Sequence, residues 1–474
     1  MTFLRKRARK VHLVGIGGVG MSGIAEVLLR LGYRVSGSDL RETETTRRLA
    51  SLGARVVYGH EESHVDSDVE VVVISSAVRF SNPEVLRARA LKIPVIPRAE
   101  MLAELMRTKS GIAVAGTHGK TTTTSLIAAV LARAGLDPTV VIGGKVHSLG
   151  TNAHLGNGDL MVVEADESDG SFLLLSPVLA VVTNIDPEHL DYYGDLDRVK
   201  AAYLEFINRV PFFGAAVVCL DDPNVRALLS QAKKRTISYG TTGDADYTAR
   251  DVTVQGLETH FVVERQGQCL GEFVVRMPGR HQALNALAAV AVASEIEVPL
   301  DTVRQALAEF RGIHRRFEIC GEEGGVLLVS DYGHHPAEIR ATLAAAREGF
   351  QRRIVVVFQP HRFTRTRDLF QDFLSAFDAA DQVLLTEIYP AGEQPIEGIN
   401  GEALYRALKR RGHLDVEFVP EIAEVPELLG PKLRPGDLVL LLGAGNIHEI
   451  VEPLRKRLAN RASSPMVHPW VANG

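Results

Sequence analysis

Short apolar runs closed by a glycine turn or polar loop, and followed by an apolar repeat of helical period, recur along the chain. Val11-His12-Leu13-Val14 is the first predicted strand, and Ile24, Val27, Leu28 and Leu31 mark a helix ending at Gly32. Arg34–Ser38, Arg55–Tyr58, Val71–Ile74 and Pro94–Pro97 read as further strands, and a helix then runs to about Met106. Alternating strands and helices of this kind predict a small doubly wound sheet. The polar segment Arg107–Ser110 reads as a linker.

A second module begins at Ile112-Ala113-Val114-Ala115 and continues with strands at Thr139–Ile142, Leu160–Val163 and Leu179–Val182. Period-two rows at Thr259, Phe261 and Val263, and at Phe273, Val275 and Met277, predict an antiparallel edge, before a helix through His281 to about Ser294. The period breaks near Gly312, so Ile313–Glu318 reads as a connection. A third module has strands at Val326–Val329, Ile354–Phe358, Val383–Leu385 and Leu438–Leu442, then the turn Gly443-Ala444-Gly445-Asn446 and a final helix. Beyond about Arg461 no period remains, and a disordered tail is expected. The fold class is α/β with three domains: a Rossmann-like N-terminal domain over 1–109, a P-loop ATPase-like, mostly parallel central domain over 110–313, and a Rossmann-like C-terminal domain over 314–474.

Composition adds mainly exclusions. A chain of 474 residues, 46% hydrophobic and 23% charged, fits an ordinary soluble multidomain protein. Its net charge of -5 gives no reason to expect nucleic acid, and the basic run Arg5-Lys6-Arg7 leads directly into a strand. Cys219, Cys269 and Cys320 are too far apart for a CxxC site and odd in number. No apolar run approaches the roughly 18 residues of a membrane span, and no signal peptide is visible, so a cytoplasmic location without membrane contact is expected.

Three strand ends carry the chemistry. Gly116-Thr117-His118-Gly119-Lys120-Thr121-Thr122 stands between a strand and a helix. Its glycines free backbone N–H groups for a phosphate, its lysine supplies a point charge, and a hydroxyl suits magnesium. The first glycine is Gly116, with Val114 five positions before Gly119, so the loop is two residues shorter than G-x-x-x-x-G-K-[ST]. Glu164-Ala165-Asp166-Glu167-Ser168-Asp169 follows a neighbouring strand, and a hard cation would relieve the repulsion of its four carboxylates. His189, in Thr183–Asp191 after the next strand, becomes significant because carboxyl ends of neighbouring strands share one crevice. Thr121, Glu164 and His189 can therefore surround one phosphate–metal centre.

The first module offers Gly15-Ile16-Gly17-Gly18-Val19-Gly20 with Asp39 further on, a dinucleotide-type turn that equally suits an NAD or a UDP-sugar. In the last module, Asp331–Pro336 and Phe358–Arg367 place histidines and arginines after strands, which suits an acidic small substrate.

In this order, GIGGVGMSGIA at 15–25, GTHGKTT at 116–122, GTNA at 150–153, EADESD at 164–169, TNIDPEHLD at 183–191, GRHQALNALA at 279–288, RRFE at 315–318, DYGHHP at 331–336 and FQPHRFTRTR at 358–367 resemble the Mur ligase family of peptidoglycan precursor enzymes. The resemblance spans nearly all of residues 10–460. It implies an ATP- and Mg2+-dependent ligase joining the carboxylate of UDP-N-acetylmuramate to L-alanine through an acyl phosphate, acting as a monomer or homodimer. By position it implies Gly17, Gly18, Asp39 and Ser76 at the UDP moiety. It implies Gly116, Thr117, His118, Gly119, Lys120, Thr121 and Thr122 at the phosphates, Thr121, Glu164 and His189 at metal, and Lys120, Glu164 and His189 as the catalytic set. Asn285 matches an adenine contact, Arg316 and Asp331 a C-terminal grip on ATP, and Tyr332, His334, Arg362 and Arg365 the amino-acid and muramoyl region. Several relatives carry a carbamylated lysine about 15 residues after the histidine; Leu204 stands there and the nearest lysine is Lys200, so that modification is not expected. The rival readings are a recycling ligase that adds a tripeptide to the same acceptor, an NAD-dependent oxidoreductase resting on Gly15–Gly20, and a non-catalytic nucleotide sensor.

Overall fold

The computed structural model describes residues 10–75, 77–143, 153–412 and 415–463. Ser76, most of the GTNA stretch, the basic N-terminal run and the tail beyond 463 lie outside the described residues. By internal packing the chain forms two units, one of 1–252, 260–276 and 283–313, the other of 253–259, 277–282 and 314–474. The domain architecture is the α/β one expected, with a separate parallel-rich sheet in each of three domains.

The N-terminal sheet has the spatial order Arg55–Tyr58, Arg34–Asp39, Lys10–Val14, Val71–Ile74, Val95–Pro97, all parallel. The chain starts at the centre and winds outward in both directions, so a crevice opens where the order reverses, at the carboxyl ends of Lys10–Val14 and Val71–Ile74. The Gly15–Gly20 turn lies there, and helix Val19–Arg30 starts from Gly18 with no side-chain cap. Its first N–H groups remain available to an anion.

Under this sheet lies a buried polar knot. Glu84 is fully buried; it accepts from the Ser38 hydroxyl at 2.6 Å and meets His12 Nε2 at 3.2 Å and His64 Nδ1 at 2.9 Å. Burial alone would push its carboxyl up, but these hydrogen bonds outweigh it and hold the group at about 2.

Among the described residues the central sheet has ten strands, ordered Gln268–Val275, Glu258–Arg265, Tyr247–Gln255, Thr236–Gly240, Ala215–Cys219, Leu179–Val182, Ser110–Ala115, Leu160–Glu164, Thr139–Val141, Ala153–His154. From Tyr247–Gln255 to Thr139–Val141 every pairing is parallel, and Ala153–His154 closes the far edge antiparallel. Ser110–Ala115 has Leu160–Glu164 on one side and Leu179–Val182 on the other. The loop after Ser110–Ala115 is thereby flanked by both other strand ends that carry candidate chemistry.

The C-terminal sheet runs Glu318–Glu323, Val326–Asp331, Asp437–Leu442, Arg353–Phe358, Gln382–Leu385, Val416–Phe418, with only Glu318–Glu323 antiparallel. Leu327, Val329, Ile354 and Val356 pack into one core and Val326, Leu328, Val355 and Val357 into another. Both faces are covered, which is why these strands read as unbroken apolar runs.

Candidate functional site

The phosphate loop is fixed by the chain that follows Leu179–Val182. The Thr117 and His118 N–H groups donate to the carbonyl and side-chain oxygen of Asn184 at 3.1 and 2.7 Å. In return the Thr183 hydroxyl and Asn184 amide donate to the His118 carbonyl at 2.6 and 2.9 Å, and the Asp186 N–H to the Thr117 hydroxyl at 2.9 Å. His118 Nε2 lies 3.0 Å from Asp186 Oδ2. Glycine is required twice. Gly116 has φ +140°, and a Cβ there would lie 1.9 Å from Thr183 Oγ1; Gly119 has φ +81°, and its Cβ would lie 2.6 Å from Asn285 Oδ1.

Helix Lys120–Arg133 starts at Gly119 without a side-chain cap, so its N–H groups face the loop. Lys120 Nζ donates to the Gly116 and Thr117 carbonyls at 2.6 and 3.1 Å and to Glu167 Oε1 at 2.8 Å. Burial would lower its pKa, but Glu167, and then Glu164 and Glu188, raise it, so the ammonium stays charged. The Thr121 hydroxyl reaches both oxygens of Glu164, at 3.1 and 3.0 Å, and the Gly143 N–H donates to Glu164 Oε2 at 2.8 Å. Thr122 is buried on the same turn. His189, with φ 57°, starts the short helix Leu190–Tyr193 in the loop that braces Thr117 and His118.

The four carboxylates of 164–169 separate by role. Glu164 meets Thr121, and Asp166 pairs with Arg98 at 3.0 Å and caps the Ser168 N–H at 3.1 Å. Glu167 takes Lys120, and Asp169 accepts from the Ser171 N–H at 3.1 Å. Asn285 lies beneath the loop, where its Oδ1 accepts from the Thr123 hydroxyl at 3.2 Å.

In the N-terminal domain, the Gly17 N–H donates to Asp39 Oδ2 at 2.8 Å, and a Cβ at Gly17 would approach that same oxygen to 2.8 Å. Gly18 is exposed at the helix start. Gly17, Gly18 and Asp39 therefore form one small cradle, while Ser76 lies outside the described residues. Arg98 borders a cavity of about 210 Å³ shared with Ser75, Val78, Phe80, Asp169 and Ser171.

In the second unit, Asp331 accepts from the Phe317 and Gly333 N–H groups, both at 2.7 Å. Burial raises its pKa against these bonds and Arg316. The guanidinium carbons of Arg315 and Arg316 lie 5.0 and 5.1 Å from the Tyr332 ring centre. Arg315 also donates to the carbonyls of Gly443 and Gly445, so the glycine turn after the last core strand orients it. His334 Nδ1 is 3.1 Å from the Tyr332 carbonyl, and its ring centre is 5.8 Å from that of His361. His361 stacks on Tyr389 at 5.6 Å and meets Arg365 at 3.2 Å. Burial first, then His334, Arg365 and Arg362, lower its pKa to about 3, leaving a neutral imidazole. Arg362 has φ 70° and a buried Nε without a hydrogen-bond partner among the described residues.

Tyr332, His334, Arg362 and Arg365 thus share one neighbourhood with His361 and Arg315, which sequence reasoning left without a role. Glu167, Asn184 and Asp186 went equally unassigned, although each stands inside a motif that was read.

A phosphate-binding loop that meets a strand-end carboxylate, in a chain that also carries a glycine-turn sheet and an arginine-bearing sheet, defines a nucleotide-dependent group-transfer enzyme. Three family models tile it: "Mur ligase family, catalytic domain" at 10–110, "Mur ligase middle domain" at 114–293 and "Mur ligase, glutamate ligase domain" at 315–445. The chain belongs to the Mur ligase family. It is 58% identical over 464 residues to a UDP-N-acetylmuramate–L-alanine ligase of Sorangium cellulosum, covering 97% of this chain and 98% of that one. A protein of the same name from Anaeromyxobacter sp. is 59% identical over 447 residues, covering 94% and 97%. The crystal structure of the UDP-N-acetylmuramate–alanine ligase of Thermotoga maritima superposes with a TM-score of 0.81 at 33% identity, covering 95% and 99%.

Proposed function

We propose that this chain is an ATP-dependent ligase that forms an amide bond between the carboxylate of UDP-N-acetylmuramate and the amine of L-alanine, releasing ADP and phosphate. The observation that carries the reading is the convergence of Lys120, Thr121 and Glu164 on one strand-end loop, in a chain alike over nearly its whole length to ligases of that name. The domains divide the work: 1–109 takes the UDP part, 110–313 the ATP, 314–474 the amino acid.

Gly116, Thr117, His118 and Gly119 shape the loop around the phosphates, with the Thr117 and His118 N–H groups spent on Asn184, while the uncapped helix start carrying Thr121 and Thr122 turns its N–H groups to them and Lys120 takes the outer ones. The muramoyl carboxylate oxygen attacks the γ-phosphorus, the bond to the β–γ bridging oxygen breaks, and ADP leaves. The alanine nitrogen then attacks the acyl phosphate carbon, loses a proton, and inorganic phosphate departs. Lys120 offsets the charge that builds on the transferred oxygens.

Thr121 and Glu164 are hard oxygen donors within 3.1 Å of each other beside the phosphate position, a donor set that fits Mg2+. By its place in the motif, His189 would share a second Mg2+ with Glu164. Bound there, Mg2+ would supply charge neutralisation of the phosphates. Gly17, Gly18, Asp39 and Ser76 serve the UDP moiety, Asn285 the adenine side, Arg316 and Asp331 the outer grip on ATP. Tyr332, His334, Arg362 and Arg365 serve alanine and the muramoyl end.

No helix among the described residues is long and apolar enough to cross a membrane. With small-molecule substrates, the enzyme works in the cytoplasm as a monomer or homodimer, without nucleic acid or membrane partner. Phosphate release measured with ATP, UDP-N-acetylmuramate and a panel of alanine, serine, glycine and the tripeptide tests the reading. Release with L-alanine is expected; release with the tripeptide alone would replace it with the recycling activity, and release with none would overturn it.

A further inference from the structure

An ammonium has three N–H donors, and the Lys120 ammonium uses all three, on the Gly116 carbonyl, the Thr117 carbonyl and Glu167 Oε1. A phosphate can reach it only if one partner lets go. The two carbonyls belong to the loop that must cradle the phosphate, and releasing either would alter the cradle itself. Glu167 stands on the segment after Leu160–Glu164, so the loop keeps its shape when Glu167 lets go.

Among the described residues, Glu167 pairs with one cation. The residue is only 3% exposed, and its Oε2 has no hydrogen-bond partner among the described residues. Arg98, which reaches this segment from helix Arg98–Met106, is paired with Asp166. The Tyr193 hydroxyl donates to the Glu167 backbone carbonyl at 2.6 Å and leaves the carboxylate alone. A buried carboxylate that loses its only cation is costly to keep charged. Burial, against the pull of Lys120, already lifts this carboxyl to about 7.

We propose that Glu167 is a positioning residue that holds Lys120 on the empty loop and surrenders it to the outer phosphates of the nucleotide, competing with the nucleotide for the same ammonium. The inference rests on the reading of Lys120 as the phosphate-binding lysine. It sets Glu167 apart from Glu164: the one is a rival of the phosphate, the other its neighbour across the cation.

The test is calorimetric titration of the full chain with ADP and with a non-hydrolysable ATP analogue, in Mg2+. Glu167→Gln keeps the shape and removes the competing charge, and its dissociation constants are expected to fall at least fivefold below those of the unsubstituted chain. Its melting temperature without nucleotide should be lower, and the gap should close at saturating nucleotide. Glu167→Asp, whose carboxylate falls one methylene short of Lys120, should lie between the two, and decides alone if the glutamine variant does not fold. A merely structural role would lower the melting temperature without tightening binding. Lys120→Met, in the same assay, separates the two claims. If it binds as the unsubstituted chain does, the reading of the loop falls. If it weakens binding while folded Glu167→Gln shows unchanged or weaker affinity, the competition alone is overturned.

Discussion

The Thr121 hydroxyl lies 3.1 Å from Oε1 and 3.0 Å from Oε2 of Glu164, bridging the start of the phosphate-loop helix and the end of the neighbouring strand. Both ends of this pair are oxygen donors to the same proposed cation, so each should matter through the cation. Glu164→Gln is expected to lower kcat by about 10²-fold or more, the scale of removing one electrostatic contact to the transferred group. It should also raise the Mg2+ concentration for half-maximal phosphate release. Thr121→Ala should shift the Mg2+ requirement in the same direction by a smaller factor. Mg2+ titrations of steady-state phosphate release measure both, and an unchanged Mg2+ dependence would remove the pair from the metal site.

Gly116 should tolerate no side chain. With φ at +140° and Thr183 Oγ1 only 1.9 Å from where a Cβ would sit, an alanine there is both strained and overlapping. Gly116→Ala is expected to lose on the order of 1–3 kcal/mol from backbone strain alone. Urea unfolding gives the stability, and ADP titration should show binding weakened at least tenfold. Binding at wild-type strength would mean that the Thr183 brace moves freely.

Acid should strike the N-terminal domain early. Glu84 is held at about 2, below its ordinary value of 4.5, so the folded state favours its charged form. That contribution is complete above pH 4.5, declines as pH falls, and is gone once pH has passed about 2. The difference between these values corresponds to roughly 3 kcal/mol. Glu84→Gln should be less stable than the unsubstituted chain at pH 7, and the gap should narrow between pH 5 and pH 2.5. Urea midpoints across that range measure it; a constant gap would assign the loss to packing.

Asp331 uses one carboxylate oxygen for the Phe317 N–H and the other for the Gly333 N–H. An asparagine has a single acceptor oxygen, so Asp331→Asn leaves one buried N–H unmet, at a cost of about 1–3 kcal/mol. Phe317 has φ 45°, and the strand link that carries Arg315 and Arg316 should loosen with it. The expected result is a lower urea midpoint together with a raised KM for ATP. Stability loss without a KM change would confine Asp331 to a scaffolding role.

Much of this was legible in the sequence because strands covered on both faces announce themselves as apolar runs, and because the loop glycines, lysine and threonines are contiguous. Other elements were hidden for physical reasons. Ala215–Cys219 is short, and the apolar Phe212 and Phe213 sit inside the Pro211–Gly214 turn that precedes it, so its boundary is blurred. In Thr236–Gly240 only Ile237 and Tyr239 supply the apolar period, while Ser238 is satisfied by Asp246 through the fold. Glu318–Glu323 is an edge strand rich in charge, which guards an edge against further pairing and also disguises it as a connection. In the site, Glu164 was identifiable by standing nearest its strand end. Glu167 was one acid among four until the fold brought Lys120, 47 residues earlier, against it. Asn184 and Asp186 look like ordinary loop residues because their partners, Thr117 and His118, are more than 60 positions away.

The brace between Thr183–Asp186 and the loop has a thermodynamic consequence. Fixing one residue's backbone costs about 1–2 kcal/mol of conformational entropy. A slack glycine loop would incur that cost each time a nucleotide arrived, and the affinity would fall accordingly. Here Asn184, Thr183 and Asp186 order the loop when the chain folds, so the loss is met once per molecule and leaves the binding step untaxed. Nucleotide affinity in this enzyme is thereby set partly by a segment that contributes to it through the loop's entropy, and substitutions at Asn184 should weaken binding mainly in the entropic part of the calorimetric signal.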